Sequence, residues 1–281
     1  HQANLAESLD SSDLSTLASE LLEAYDSDKD SRQDWLDTFS KGLELLGIKT
    51  EEREEPFPGA TGVHHPLLSE AVTQFQAQSY KELLPPGGPV KTRVMGNETP
   101  EVAGQNQRVK EFMNYQITEV MKEYDPEMDS LLFYLPLAGS AFKKVYYDNL
   151  LGRATSRLVK AENLVVAYET VDLETSPRFT HVMTMTGNDL KKLQLNGTYK
   201  NIEIGDASPD IDINEAKEKM DELQGISPSM TDYDEYTVLE MHVNLELSDE
   251  DNYGFAVPYV VTILEEQGEI LSIRRNWEAE D

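Results

Sequence analysis

Near Gly139 the spacing of apolar residues changes from the helical period to strict alternation, and this switch constrains the fold more than any other feature of the chain. Before it, Leu14, Leu17, Leu21, Leu22 and Tyr25 recur every three or four positions, as do Trp35, Phe39, Leu43 and Leu46 ahead of Gly47. These patterns predict two helices with an acidic break between them. Residues 51–62 are charged and then rich in Pro and Gly, which predicts a loop. Pro66 suits a first helical turn, and Leu67, Leu68, Ala71, Val72, Phe75, Tyr80, Leu83 and Leu84 follow until Pro85-Pro86-Gly87-Gly88 forces a stop. Residues 89–95 read as a short strand. Thr99-Pro100-Glu101 then opens a long helix with Val109, Phe112, Met113, Ile117, Val120, Met121 and Tyr124 on one stripe, and a shorter helix is expected over 126–135.

Past the switch, residues 141–147 and 157–166 alternate, and 180–185 extend the pattern into a β-meander. A helix at 189–195 and an acidic helix at 214–223 precede strands at 236–247, 256–264 and 270–277. Helices first and antiparallel strands later make the class α+β. The expected division is an acidic helical N-terminal arm over 1–56 and an α+β domain over 57–281.

Charge narrows the function classes. The 281 residues hold 24 Lys+Arg against 53 Asp+Glu, a net charge of −29. Residues 1–56 carry 5 basic and 15 acidic groups, 57–202 carry 15 and 16, 203–251 carry 2 and 16, and 252–281 carry 2 and 6. An acidic chain cannot sheathe DNA in basic contacts, because that affinity comes from cations neutralising phosphates. A DNA partner would have to be contained rather than gripped. The absence of cysteine excludes disulfide scaffolds, thiolate enzymes and iron–sulfur sites. The longest apolar run, 255–264, is broken by Pro258 and falls far short of the roughly 20 residues that span a bilayer. With His1 at one end and Glu280-Asp281 at the other, the chain reads as a piece of a longer one, without a leader peptide.

Few motifs point to chemistry. Between 26 and 37, Asp26, Asp28, Asp30, Asp34 and Asp37 occupy positions 1, 3, 5, 9 and 12 of a calcium-hand loop flanked by helices. Ser31 stands where the loop's sharp turn requires Gly, and Asp37 where a longer Glu chelates with both oxygens. The plainer reading is a solvated turn, with Asp30 or Ser31 capping the second helix. His64-His65 lack metal-ligand spacing, and His181 and His242 stand alone in strand patterns. Neither 58–62 nor 87–92 forms a phosphate loop. No catalytic triad, cofactor motif or informative carboxylate pair emerges, so no enzyme is expected. Lys143 and Lys144 follow the Gly139-Ser140 turn, on opposite faces by strand alternation. They are candidates for a phosphate or subunit contact, against the plainer reading of two charges on an edge strand.

The run His65-Pro66-Leu67-Leu68-Ser69-Glu70-Ala71-Val72-Thr73-Gln74-Phe75-Gln76-Ala77-Gln78, continued by Tyr80-Lys81-Glu82-Leu83-Leu84-Pro85, resembles the first wing helix of portal proteins of short-tailed bacteriophages. Pro136 to Lys144, Lys160 to Val166 with Phe179-Thr180-His181, Asn188-Asp189-Leu190 and Arg275-Asn276-Trp277 are similar to later stretches of that wing. The likeness spans about residues 60–281. It implies a homo-oligomeric, usually dodecameric, ring at one capsid vertex, through which double-stranded DNA enters during packaging and leaves on infection. The implied partners are the terminase motor, the tail adaptor and the coat, with no membrane. The implied location is the virion, and the host cytoplasm during assembly. Stem and clip would lie beyond residue 281. The alternative is an acidic calcium-responsive module built on 26–37.

Overall fold

A computed structural model describes residues 4–46, 57, 59, 66–148, 151–205, 235–247 and 254–277. The expected loop at 51–62, apart from residues 57 and 59, lies outside the described residues, as do His64-His65 and the expected helix at 214–223. The fold is α+β, as the change of period predicts. Its contacts divide the chain into two units, residues 1–41 with 162–281, and residues 42–161.

This division replaces the expected boundary near residue 56, and the reason lies in the first helix. Helix α1 (Ser11–Ser31) buries Leu14, Ala18, Leu21 and Tyr25, the face its period defines. That face packs in one core with strand residues from the far end of the sequence: Val182, Leu239, Met241, Tyr259, Val261, Ile263, Ile270 and Ile273. The N-terminal segment is thus a layer of the first unit rather than an arm. Its sheet has the order β3 (Leu164–Val166), β4 (Arg178–Thr186), β5 (Glu235–Leu245), β6 (Val257–Leu264), β7 (Glu269–Arg275), antiparallel throughout. Alternate residues face opposite sides of a strand. Leu239 and Met241 therefore join α1, while Tyr236 and Val238 join Leu190 of helix α6 (Gly187–Leu195) and Tyr199 in a second core. Burial on both faces explains why β6 reads almost without polar interruption. Its Thr262 is fully buried, and the hydroxyl of its register partner Ser272 donates to it at 3.1 Å.

The edge of β7 is closed by a side chain. Asn4 accepts from the Ile273 N–H at 3.0 Å and donates from Nδ2 at 3.0 Å to the Leu271 carbonyl, which also accepts the Lys200 N–H at 2.7 Å. At the other end of α1, Arg32 is the single residue before α2 (Gln33–Leu45), and its guanidinium donates to the carbonyls of Glu162 (2.6 Å) and Leu164 (3.2 Å). Beside it Asp28, 5% exposed, makes a two-pronged ion pair with Arg178 at 2.6 and 2.8 Å.

The second unit contains α3 (Leu67–Leu83), α4 (Pro100–Tyr115), α5 (Tyr124–Ala138) and the hairpin β1 (Ala141–Asp148) and β2 (Arg153–Lys160). Helix α3 ends where Pro85-Pro86 predicts. Tyr80 and Gln76 on α3 donate to Asp125 (2.5 Å) and Asp129 (2.8 Å) on α5. Gly139 takes a left-handed conformation (φ +80°) and returns its N–H to Leu135, which closes α5 and starts the hairpin.

Three local expectations change. Residues 89–95 form no strand, because the partner of Val90 is a side chain: Asn114 accepts from its N–H at 2.9 Å and donates to its carbonyl at 3.2 Å. Gly88 (φ +88°) permits this, since a Cβ there would run into the Asn114 amide. The expected long helix from 99 ends at Tyr115 and passes through a wide π turn at Gln116–Val120. That turn changes the phase of the stripe, leaving Val109, Phe112 and Met113 exposed while Ile117, Val120 and Met121 are half-buried. Finally, the alternating run 157–166 is cut by a 3-10 turn at Ala161–Asn163, so β2 and β3 belong to different sheets.

Candidate functional site

The hairpin of the second unit holds the lysines singled out in the sequence. Two carboxylates four apart at the start of α5, Glu123 and Glu127, meet two arginines four apart on β2. Arg153 donates to both oxygens of Glu123, at 2.7 and 2.9 Å. These hydrogen bonds hold the Glu123 carboxyl well below its ordinary range, to about 2, against the opposing effect of its burial. Arg157 donates to Glu127 at 3.0 Å, and the second Glu127 oxygen accepts the Leu158 N–H.

Lys143 projects into this framework. Its Nζ lies 3.8 Å from the centroid of the Tyr124 ring, is buried, and has no hydrogen-bond partner among the described residues. Burial lowers its pKa, while Glu127 and Glu123 act in the opposite direction. The aromatic face and the two carboxylates together explain how a cation is held there. Lys144 alternates to the other side, with Nζ 5.8 Å from the Tyr146 ring. The structure therefore separates the pair, as strand geometry predicts, and turns the Lys143 amine inward. Alongside them Val145 and Tyr147 stand out from the hairpin, 67% and 64% exposed.

The acidic run 26–37 is not a loop. Residues 26–31 continue α1 and 33–37 begin α2, with only Arg32 outside a helix, so the twelve-residue loop of a calcium hand is absent. Asp28 is committed to Arg178. Asp26, Asp30, Asp34 and Asp37 are exposed and follow the helical surface at intervals of four, four and three residues. Among the described residues no three His, Asp or Glu side chains converge as a metal-holding group. His242 stacks on Phe179 at 4.4 Å with its Nε2 3.5 Å from Glu240, and His181 is half-buried on β4. No helix among the described residues is long and apolar enough to cross a membrane.

The feature that sequence reading left open is the exposed face of α4. This helix buries no residue, and Phe112 is 60% exposed in the middle of an apolar patch with Val109, Met113 and Tyr115. The segment before it is tied along α4 by the Asn114 amide and by Thr92, whose hydroxyl donates to the Asn106 carbonyl at 3.3 Å. Lys91, Arg93 and Arg108 are exposed and free of ion pairs among the described residues. The stripe itself was visible in the sequence. Periodicity shows that a helix has an apolar face but not whether anything covers it.

Charge follows the structural division rather than the chain order. Residues 1–41 with 162–281 contain 11 basic and 37 acidic side chains, a net −26, whereas residues 42–161 contain 13 and 16, a net −3. The sequence matches no family model and no curated protein.

Proposed function

We propose that this chain is a structural subunit of a phage portal, a wing-like part of the homo-oligomeric ring that conducts double-stranded DNA through one capsid vertex. In this reading the ring serves packaging, retention and ejection of the genome. It works by geometry and repulsion rather than by chemistry. The observation that carries the reading is the combination of a strongly acidic unit with a near-neutral one bearing an uncovered apolar face. An exposed apolar patch on a helix without a buried residue is a surface for a neighbouring protein. Acidic walls let a phosphate backbone slide where a basic groove would hold it. The α+β order and the wing-helix likeness of residues 65–85 agree with this assignment. Terminase, tail adaptor and coat would be the partners, with assembly in the host cytoplasm and residence in the virion.

Native mass measurement followed by single-particle imaging tests the proposal. A closed ring with a pore admitting duplex DNA supports it, and a single chain at every salt and protein concentration overturns it. The calcium-responsive alternative retains only the exposed Asp26, Asp30, Asp34 and Asp37 as donors. It predicts a rise in melting temperature with calcium that Asp30→Ala abolishes.

A further inference from the structure

We propose that the open edge of β1 pairs antiparallel with β1 of a second copy of this chain, the pair being centred on Tyr146. The proposal goes beyond the ring reading and does not depend on it.

The two edges of the hairpin differ. On β2, the Leu158 N–H points away from β1 and is taken by Glu127, and the Ser156 N–H is directed at the Glu123 carboxylate. Helix α5 thus closes that edge with side chains. In an antiparallel ladder, residues opposite one another either bond to each other or both point outward. Lys143 and Val145 are the register partners of Leu158 and Ser156, so their backbone groups point outward from the other edge, and alternation adds Tyr147. Strand β1 has β2 as its one sheet neighbour, and among the described residues no hydrogen bond reaches the outward backbone groups of Val145 or Tyr147. The side chains of Val145, Tyr146 and Tyr147 are exposed as well. A bare edge with apolar side chains is a template for another strand, and a two-stranded sheet gains most from a third.

The sequence of β1 selects the occupant. Outward groups bond to outward groups, so odd-numbered residues of one strand face odd-numbered residues of the other. Centring on Tyr146 sets Tyr146 against Tyr146, Val145 against Tyr147 and Lys144 against Asp148, and each is a favourable cross-strand pair. Centring one residue earlier sets Asp148 against Phe142, and two earlier sets Lys144 against Lys144. Read antiparallel, residues 144–148 complement themselves in charge and in apolar character, and this commits the edge to a second copy. A two-fold contact presents the same surface on both chains and closes at two, whereas contacts around a ring are heterologous, so this pair is additional to any ring contact.

The chain holds no cysteine, so single cysteines in the full chain report the register. Tyr146→Cys should give disulfide-linked pairs on mild oxidation, because directly opposed residues bring their Cβ atoms within bridging distance. Lys144→Cys, faced by Asp148, and Val171→Cys, exposed in the other unit, should stay single. In sedimentation across protein concentration, Val145→Pro should weaken pairing about tenfold or more, since it removes an outward N–H and spares the bonds to β2. Lys144→Asp and Asp148→Lys should each lose self-pairing, while their equimolar mixture, in which opposite charges face each other again, should pair within about threefold of the parent. Melting curves check that each variant folds, and the mixture keeps the test valid if Val145→Pro does not. A parent that stays single, three cysteine variants that cross-link alike, or a mixture that stays unpaired overturns the proposal. Rings that form with Val145→Pro as with the parent, and without a Tyr146→Cys cross-link, overturn this contact and leave the ring reading standing.

Discussion

The two units solve the same problem with different means. The first presses α1 and α6 onto opposite faces of a five-stranded sheet, so Leu239, Met241, Tyr259, Val261, Ile263 and Ile273 lose all contact with water. The second buries Val72, Leu132, Tyr134, Ala138 and Val159, adds polar links through Glu123, Glu127, Asp125 and Asp129, and leaves α4 without a buried residue. Both complete a missing backbone partner with an asparagine amide, Asn4 in one and Asn114 in the other. The contrast teaches that the first unit is stabilised from within, whereas the second leaves apolar surface for something else to cover.

The largest effect should come from the first unit's buried ion pair. Asp28→Ala strands Arg178 in a partly buried site and should lower stability by about 3–5 kcal/mol in denaturant unfolding. Next, Leu239→Ala should cost about 2–5 kcal/mol through transfer and cavity terms. Val109→Ala on α4, by the same measurement, should cost about 0.5 kcal/mol or less. An equal loss at both positions would erase the contrast between the units.

Acid response should separate them too. Glu162 of the first unit is raised from 4.5 to about 7, chiefly by burial, with its backbone hydrogen bond and Arg32 opposing. The folded state then holds its proton where the unfolded state has lost it, so its contribution to stability is complete below pH 4.5 and is lost as pH rises to about 7. Glu162→Gln should remove this loss, worth about 1–3 kcal/mol above neutrality. Glu123 of the second unit, lowered to about 2, has the opposite sign: its contribution is present above pH 4.5 and is lost as pH falls toward 2. Melting temperatures of Glu162→Gln and Glu123→Gln between pH 2 and 8 should therefore approach the parent toward pH 2 and depart from it in opposite directions as pH rises, Glu123→Gln downward by pH 4.5 and Glu162→Gln upward by about pH 7. An effect between those of Leu239 and Val109 is expected at Asn114. Its replacement by Ala removes both bonds to Val90 and should cost about 1–2 kcal/mol, with faster amide exchange at Val90.

Much of this architecture was legible in the sequence because local physics writes it there. The period of Leu14 to Tyr25 marks a helix, the double proline after Leu84 marks its end, and the buried faces of β5 and β6 show as alternating or continuous apolar runs. Less legible were features that depend on distant partners. The acidic run 26–37 reads as a loop because Asp and Ser compete with helical hydrogen bonds. It is helical because α1 is held on the sheet by its apolar face, while Asp28 and Arg32 find partners more than a hundred residues away. Residues 89–95 have strand composition, yet their partner is an asparagine side chain.

Sequence alone determined most of the element types, the α+β order and the acidic balance, since each depends on residue identity and short-range spacing. The tertiary structure decided that the first forty residues share a core with the last hundred. It also decided that Lys143 turns inward to Tyr124 and that the α4 stripe faces outward. Burial depends on which surfaces meet, and that is settled by contacts between residues far apart in the chain.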